Sequence, residues 1–410
     1  MTEHNHHSSP AGPLAGVRVI EYAVFHAGPG SGAILGDLGA AVIKVESKNG
    51  DPERAWTQVG GLDISVPSGE SVMHEISNRS KRGLWLDITR PEGRQVLDRL
   101  VSGADVFLTN LRQSTIRQLA LDYPSIRALK PDIIHASVSG YGPEGPAADT
   151  GAFDPMGQAR SGMMYLHDPQ NPSLIHLAVL DQATAIAASH AVLAALFSRE
   201  RTGRGQAVHG SLFGTAIWLL YANMVTMGLL GFNPSFPWER FRNSPLRNSY
   251  RCADGRWIIG VHHPERKYWA PFCRATGQEA LMDDPRYADA AARAPHHREL
   301  VAHFDGILAT RPCDEWIRIF TEHHLMFSPV QTIREVMEDP QALANRYVVE
   351  YDHPDHGRVK LPGYPAHFSD TAAGIRRPAP GLGQHTDEVL GEAGFGSEEI
   401  QRLREMGVVK

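Results

Sequence analysis

The sequence is poor in cysteine and has no excess of positive charge. Only three of its 410 residues are cysteine, and Cys252, Cys273 and Cys313 are far apart with no C-x-x-C spacing. This set excludes a disulfide framework and a thiolate zinc site, and it fits a reducing compartment such as the cytoplasm. Lys and Arg (40) are outnumbered by Asp and Glu (46), which gives a formal net charge of −6. That balance argues against binding of nucleic acid through phosphate neutralisation.

Secretory and metal-binding patterns are absent as well. Residues 1–12 have no apolar core of a signal sequence, and we expect them to be a disordered lead-in. The 21 histidines occur singly or as adjacent pairs, and no H-x-x-x-H or H-E-x-x-H is found. Adjacent side chains on a helix or strand point apart, so we expect no metal site.

One segment is long enough to raise the question of a membrane span. No Asp, Glu, Lys or Arg occurs between Gly205 and Trp238, and the apolar stretch 214–232 has the length of a bilayer-crossing helix. It contains Asn223 and lies between ordinary soluble patterns. We therefore expect a helix in the core or at a subunit interface and no membrane contact.

The first 200 residues alternate between strand and helix patterns. Strands are predicted at 17–23, 40–46, 83–88, 104–110 and 132–140. Helices are predicted at 30–39, 91–102, 116–130, 154–164 and 181–200. This alternation indicates an α/β fold with a parallel, doubly wound, Rossmann-like sheet.

The regular alternation of strand and helix patterns ends near residue 233. A hairpin around Asp254–Gly255 and helices up to about 325 predict a smaller α+β domain at 233–339, and short strands and helices return towards the C-terminus. We therefore assign 13–232 and 340–410 to a large domain that contains both ends of the folded chain.

A glycine-rich sequence follows the first strand. Residues 28–33 read G-P-G-S-G-A and match the dinucleotide fingerprint, with Glu46 at the end of the next strand. Pro29, however, removes a backbone N–H that a pyrophosphate would need. The alternatives are an NAD-dependent oxidoreductase and a tight strand-to-helix turn that bears another ligand.

Eight segments occur in order along the chain: PLAGVRVIEYA, AGPGSGAILGDLGAAVIKVE, NRSKRGLWLDITRPEGR, ADVFLTNLR, PDIIHASVSGYGPEGP, FDPMGQARSG, SRERTGRGQAVHGSL and APGLGQHTDEVL. Together they resemble the class III CoA-transferases, the family of formyl-CoA transferase and of the carnitine- and bile-acid-CoA transferases. The resemblance extends from Pro13 to Val409. It implies a Rossmann-like large domain built from both chain ends, a smaller inserted domain and a homodimer of interlocked rings.

The resemblance also implies a chemistry centred on Asp181. In the family an aspartate attacks the acyl-CoA thioester, and an aspartyl anhydride and an aspartyl-CoA thioester follow. We expect this carboxylate to be ionised at pH 7 without assistance. From the sequence pattern alone Asp181 could instead be a helix N-cap, and the two roles could coexist. Leu180 stands where relatives usually have glycine.

Other residues are assigned to the site by the same resemblance. Oxyanion or substrate contacts are expected from His26, Ala27, Gly28, Gly140, Tyr141 and Gln158. His26 occupies the position of a glutamine in the formyl-CoA enzymes, and its alternative is a structural histidine; the alternative for Gln158 is a helix surface. Coenzyme A contacts are expected from Lys48, Leu86, Arg90, Asn110, Leu111, Arg112 and Arg117.

The resemblance therefore implies transfer of CoA from an acyl-CoA donor to a carboxylic acid, with CoA as substrate and no permanently bound cofactor. One alternative is an α-methylacyl-CoA racemase of the same fold, but the histidine that it needs is replaced by Phe153. Another is a CoA-binding relic, which the presence of Asp181 argues against. Phe236, Trp238 and Phe241 could line an acid pocket or pack between domains.

Overall fold

The structure is a computed structural model that describes residues 11–166, 168, 170–175, 178–232 and 239–410. Most of the expected lead-in, and the linker residues Phe236 and Trp238, lie outside the described residues. Two compact units are formed, one by 11–166, 170–175, 178–232 and 344–410 and the other by 168 and 239–343.

Thirteen strands are assigned within the described residues. They are β1 Arg18–Tyr22, β2 Ala41–Glu46, β3 Gln58–Val59, β4 Leu62–Asp63, β5 Lys81–Trp85, β6 Val106–Thr109, β7 Ile134–Ser139, β8 Ala207–Ser211, β9 Arg247–Arg251, β10 Trp257–Val261, β11 Phe327–Val330, β12 Val348–His353 and β13 Gly357–Pro362.

Seventeen α-helices are assigned in the same part of the chain. They are α1 Ala27–Asp37, α2 Val72–Asn78, α3 Pro91–Ser102, α4 Gln113–Gln118, α5 Tyr123–Leu129, α6 Asp154–Ser161, α7 Val179–Thr202, α8 Leu212–Leu219, α9 Tyr221–Leu230, α10 Glu265–Ala275, α11 Ala290–Arg293, α12 His297–Leu308, α13 Cys313–Glu322, α14 Ile333–Val336, α15 Pro340–Ala344, α16 Thr386–Glu392 and α17 Ser397–Glu405.

A six-stranded parallel sheet forms the centre of the first unit. Its order is β5-β2-β1-β6-β7-β8, and every pairing is parallel. The expected mixed α/β fold with a parallel sheet is therefore confirmed. The direction of winding reverses between β1 and β6, which makes this the switch point where doubly wound proteins bind ligands.

Alternating side chains of the strands build a core on each face of the sheet. Ile20 and Ile43 belong to a cluster on one face with residues of α3 and of the C-terminal helices α16 and α17. Val19 and Val42 belong to a cluster on the other face with residues of α1 and α7. The last residues of the chain thus complete the core that the first strands begin.

The second unit contains a three-stranded antiparallel sheet in the order β11-β10-β9. The predicted hairpin is confirmed, because β9 pairs with β10 around the turn at Asp254–Gly255. Phe272, Phe304 and Phe320 from α10, α12 and α13 pack in its core. The three cysteines of the chain are free and buried.

The glycine-rich sequence is not a loop, which corrects the expectation of a turn before a helix at 30. Helix α1 begins at Ala27, so the glycines lie inside it. A Cβ on Gly28, Gly32 or Gly36 would collide with Asn110, Glu21 or the Ser80 backbone, respectively. These positions recur every four residues and share one helix face. The pattern therefore reflects close packing of α1, and Pro29 costs nothing in a first turn whose N–H groups have no intrahelical acceptor.

Two predicted helices are broken. The expected helix at 116–130 is α4 and α5, separated where Ala120 has φ of +49° and where the Asp122 side chain caps α5 through the Ser125 N–H (2.9 Å). The apolar segment 214–232 is not one buried helix, because α8 and α9 are bent by 68°. Helix α9 has no buried residue. Helix α7 is long and apolar enough to cross a membrane, but 44% of its most apolar window is buried inside the fold.

Substitution of Gly32 tests the close packing of α1. In Gly32→Ala the new Cβ would overlap the buried Glu21 carboxylate, so we expect the free energy of unfolding to fall by about 1–3 kcal/mol. Gly306→Ala is the matched control, because Gly306 lies in α12 with open space around it. That change should be neutral or stabilising. Urea unfolding measures both, and equal stability of the two variants would contradict the packing role.

Candidate functional site

The residues predicted for the site gather at one edge of the sheet. His26 follows β1, Lys48 follows β2, Arg90 follows β5, Asn110 follows β6 and Gly140 follows β7. Carboxyl ends of parallel strands meet at the same edge, so the topology brings these distant segments together. A cleft lies at the switch point, with Leu111 in its lining.

Asp154 holds the beginning of α7. Its Oδ2 accepts hydrogen bonds from the Leu180 N–H (2.6 Å) and the Asp181 N–H (3.0 Å). Helix α7 starts after Ala178, which has φ of +56° and no capping side chain of its own. Asp154, the first residue of α6, therefore caps α7 from a different helix. Its buried carboxylate satisfies amide groups that a helix N-terminus leaves open.

Asp181 is the third residue of α7, so the expectation that it caps this helix is wrong. Its side chain is partly exposed. Burial, and secondly the negative charge of Asp154, raise the pKa of Asp181 to about 7. Burial and the neighbouring charge therefore work against the expectation that this carboxylate is ionised at pH 7 without assistance. The N-terminal end of α7 counteracts this shift by favouring negative charge.

Gln158 and Leu180 stabilise the contact between α6 and the beginning of α7. Gln158 is fully buried, so a helix-surface position is excluded. Its Nε2 donates to Asp154 Oδ1 (2.5 Å), and its Oε1 accepts from the Ile175 N–H (3.0 Å). Both ends of the amide are thus engaged within the chain, and we correct its predicted role as an oxyanion donor to orientation of Asp154. Leu180 is buried, and it fits because Gly157 has no side chain where the Leu180 methyl lies.

His26 connects α1, α2 and α7. It is buried at the start of α1, with Nδ1 2.7 Å from Ser77 Oγ and Nε2 3.0 Å from Gln182 Oε1. Burial is the main cause that lowers the pKa of His26, so the imidazole is neutral. Gln182 directly follows Asp181 in α7. The histidine is therefore linked by one hydrogen bond to the neighbour of the candidate nucleophile.

Backbone donors lie beside His26. The N–H groups of Ala27 and Gly28 have no acceptor among the described residues, as expected for a first helical turn. A Cβ on Gly30 would stand 3.1 Å from Ala185 of α7 and 3.6 Å from His26 Nε2. The N-termini of α1 and α7 are thus adjacent.

Two other predicted residues follow β7. The Gly140 carbonyl accepts from the Phe213 N–H (3.0 Å). The Tyr141 ring lies under the Arg160 guanidinium at 4.6 Å.

Buried ion pairs lie beneath α1. Lys81 Nζ donates to Glu21 (2.8 Å) and to the Pro29 carbonyl (2.7 Å), while Lys44 Nζ donates to Asp51 (2.8 Å). These lysine and acidic side chains are fully or almost fully buried. Buried charges persist only when they are paired and hydrogen-bonded. The network therefore holds α1 at a defined height above the sheet.

The cations predicted for coenzyme A are exposed, and they form two groups. Lys48 and Arg90 both lie in electrostatic range of Asp87, and Arg90 donates to the Met406 carbonyl. Arg112 and Arg117 both lie in electrostatic range of Asp149. Each group could contact a phosphate without first leaving a buried partner.

The predictions that Leu86 and Asn110 contact coenzyme A need correction. Leu86 is fully buried and packs in the core, so its side chain does not face a ligand as expected. The Asn110 amide holds the Val24 backbone through both of its ends (2.9 and 2.6 Å). Asn110 therefore supports the segment between β1 and α1.

Phe241, which was predicted either to line an acid pocket or to pack between domains, lies in the second unit under the Arg298 guanidinium at 4.9 Å.

Three residues near the predicted site escaped the sequence analysis: Asp154, Gln182 and Ser77. Asp154 carried a signal, because Asp-Pro opens a helix and the spacing to Gln158 is i, i+4. The other two had none, since their contacts join segments that are remote in the chain. Among the described residues no group of three or more His, Cys, Asp and Glu side chains could hold a metal ion.

The geometry defines an α/β protein with a cleft at the switch point of its parallel sheet. Comparison with known proteins matches residues 14–386 to CoA-transferase family III. An acyl-CoA transferase of Fusarium pseudograminearum is 32% identical, with 98% of this chain and 89% of that protein covered. The (R)-2-hydroxy-4-methylpentanoate CoA-transferase of Clostridioides difficile is also 32% identical, with 97% and 99% covered.

A solved structure agrees with these matches. A CAIB/BAIF family protein from Brucella suis superimposes with a TM-score of 0.81 at 28% identity, with 93% of this chain and 100% of that chain covered. The chain belongs to CoA-transferase family III, and it is an enzyme of the EC 2.8.3 type. The racemase alternative is not favoured, because Phe153 has no titratable group and its ring instead contacts Phe25 at 5.2 Å.

Replacement of Asp154 tests its influence on Asp181. Asp154→Asn keeps an oxygen that accepts from the start of α7 but removes the negative charge, so we expect the pKa of Asp181 to fall. Carboxyl 13C spectra of aspartate-labelled protein measure this, with Asp181→Asn identifying the resonance. Asp283→Asn, at an exposed position of the second unit, is the matched control. An unchanged titration in Asp154→Asn would contradict the coupling.

Proposed function

We propose that the protein transfers CoA from an acyl-CoA donor to a carboxylic acid acceptor, with Asp181 as the nucleophile. The observation that carries the proposal is the position of this carboxylate: it is partly exposed at the N-terminus of α7, while Asp154, Gln158 and the buried network behind it are fully committed. A carboxylate without a committed partner is free to attack.

Each step of the proposed reaction exchanges one acyl–sulfur or acyl–oxygen bond for another. Asp181 attacks the acyl-CoA carbonyl, which gives an aspartyl–acyl anhydride and the CoA thiolate. The thiolate attacks the aspartyl carbonyl, which gives an aspartyl-CoA thioester and releases the donor acid. The acceptor carboxylate then attacks this thioester, and the released thiolate takes the acceptor acyl group from the second anhydride. Asp181 is regenerated as a carboxylate.

The surroundings of Asp181 suit these steps. Each attack places negative charge on a carbonyl oxygen, which needs donors fixed in advance. The free N–H groups of Ala27 and Gly28 at the start of α1, together with the positive end of α7, are candidates. We propose that backbone groups of Gly140 and Tyr141 line the same space. Asp181 must be ionised to attack, so we expect the rate to rise with pH through about 7.

We propose that coenzyme A lies along the carboxyl edge of the sheet. The exposed side chains of Lys48 and Arg90 would meet phosphate groups at the ends of β2 and β5. Arg112 and Arg117 would meet phosphates on the opposite side of β1. Leu111, which lines the cleft, would contact the apolar part of the pantetheine arm. These contacts are separate from Asp181, so binding and chemistry are separable by mutation. The free cysteines agree with a reducing, cytoplasmic setting.

Asp181→Asn tests the covalent mechanism. An amide cannot form the anhydride, so we expect transfer to fall by at least about a thousandfold while CoA affinity, measured by calorimetry, is retained. Because Asp181 caps no helix, the melting temperature should change little. Hydroxylamine added to wild type with an acyl-CoA should modify the peptide that contains Asp181. Asp283→Asn is the control, and turnover by folded Asp181→Asn would exclude the mechanism.

We also propose that the protein is a homodimer of interlocked chains. Trp218, Tyr221, Leu229 and Leu230 on α8 and α9 are each more than half exposed, and a second copy would cover them. Interlocked chains do not separate without unfolding. Light scattering should therefore give twice the chain mass even after dilution to low micromolar concentration. A stable monomer there would refute the proposed assembly.

A further inference from the structure

A buried carboxyl lies behind His26 that the proposed reaction does not use. Glu53 is fully buried in the short helix Pro52–Ala55. Neither of its oxygens has a hydrogen-bond partner of ordinary geometry among the described residues, and the side chain that interacts with it is that of Ser77. Ser77 Oγ is also the atom 2.7 Å from His26 Nδ1. Ser77, His26 and Gln182 thus form a hydrogen-bonded line that ends beside Asp181, and the buried Glu53 carboxyl interacts with its inner end.

We propose that the Glu53 carboxyl, acting through Ser77 and His26, sets which end of the Gln182 amide faces the acyl group bound at Asp181. Glu53, Ser77 and His26 are positioning residues in this proposal, and Gln182 is the residue that contacts substrate. The inference rests on the proposed transfer at Asp181. It deepens that function by naming the side chain that donates to the reacting carbonyl.

The direction of each hydrogen bond follows from the number of protons. In the proposal, a protonated Glu53 turns its O–H to Ser77 Oγ, and the Ser77 O–H donates to His26 Nδ1 (2.7 Å). The neutral imidazole then carries its proton on Nε2, which donates to Gln182 Oε1 (3.0 Å). The Gln182 amino group is left without an acceptor among the described residues, on an exposed side chain next to Asp181. It is therefore available to the carbonyl oxygen that gains charge.

Loss of the Glu53 proton reverses the donor and acceptor roles in these hydrogen bonds. The Ser77 O–H turns to the carboxylate, the imidazole proton moves to Nδ1 and donates to Ser77 Oγ, and Nε2 becomes an acceptor. Gln182 must then rotate its amide so that the amino group donates to Nε2. Its carbonyl oxygen now faces the reacting group, where it repels the developing negative charge. One proton has left the protein, and the imidazole has exchanged an Nε2–H bond for an Nδ1–H bond; no other covalent bond has changed.

The groups around Glu53 favour the protonated state at neutral pH. Burial, and secondly the charge of Asp51, raise the pKa of Glu53 to about 8, against the opposing influence of Ser77, Lys44 and Lys81. His74 on α2 stays neutral, since burial lowers its pKa to about 2. The switch of the amide should thus occur above pH 8.

The imidazole itself does not titrate in this range. Burial is the main cause that lowers the pKa of His26; Arg79 and Lys81 act in the same direction, and Gln182 and Asp154 oppose them. His26 therefore changes its tautomer and not its charge.

Glu53→Gln distinguishes a loss of kcat at high pH that is caused by Glu53 from one that is caused by another titrating group. Its amide donates to Ser77 Oγ at every pH, so the amide of Gln182 should keep one direction. For a single group of pKa about 8, wild-type kcat should fall on the order of twentyfold between pH 7.5 and 9.5. In Glu53→Gln the fall should be less than about threefold. Glu398→Gln, an exposed position in α17, should keep the wild-type profile.

Lys81 is the other group whose titration would lower kcat at alkaline pH. Burial lowers the pKa of Lys81 to about 8, and its titration would remain in Glu53→Gln. An alkaline limb that persists in this variant therefore overturns the proposal. Ser77→Ala should lower kcat more than KM changes and abolish the dependence on Glu53, whereas Ser77→Thr, which keeps the hydroxyl, should restore both. Failure of the rescue would assign Ser77 a packing role only.

A measurement without turnover distinguishes this inference from the proposed function. In 15N-histidine spectra, with His26→Gln identifying the resonances, the protonated nitrogen of His26 should be Nε2 at pH 7 and Nδ1 at pH 9.5. In Glu53→Gln it should remain Nε2. The same tautomer at both pH values in wild type would overturn the inference. If the wild type transfers no CoA while the tautomer switches, the proposed function fails and the hydrogen-bond line stands.

Discussion

The structure depends on the burial of two lysine ammonium groups beneath helix α1. Lys44 and Lys81 are inaccessible to water, so their charges must be met by Glu21, Asp51 and a backbone carbonyl of the helix. The hydrogen bond from Lys81 to the Pro29 carbonyl holds α1 close to Glu21 and Lys81, and this closeness requires glycine at Gly32. The position of His26, and through it the geometry of the site, follows from the same constraint.

The site combines groups whose environments push their protonation in different directions. Burial keeps His26 neutral, while burial and a neighbouring carboxylate raise the pKa of Asp181 to about 7. Asp154 contributes to both sides of this balance. Its hydrogen bonds secure the N-terminus that favours a charged Asp181, and its own charge opposes that ionisation. Transfer chemistry benefits from such a balance, because a carboxylate that is strongly stabilised is a poor nucleophile.

Membership of CoA-transferase family III gives the type of reaction, and the structure shows which residues surround Asp181. His26, whose position the family resemblance matches to a glutamine, is hydrogen-bonded to the Gln182 amide. Glu53 and Ser77 extend the line into the protein interior. In our proposal, the tautomer of His26 decides whether the Gln182 amino group is available to the reacting carbonyl.

The sequence by itself determined the α/β class, the parallel sheet, the hairpin at 247–261 and the family, because each depends on periodicity or on short motifs in order. It misjudged the glycine sequence at 28–33, since collisions with Glu21 and Asn110 are visible only when α1 is placed on the sheet. It also misjudged the cap of α7, because the capping carboxylate of Asp154 arrives from 26 residues away. The tertiary structure alone decided these points: hydrogen bonds and desolvation act between neighbours in space, and a linear pattern contains no information about distance across the fold.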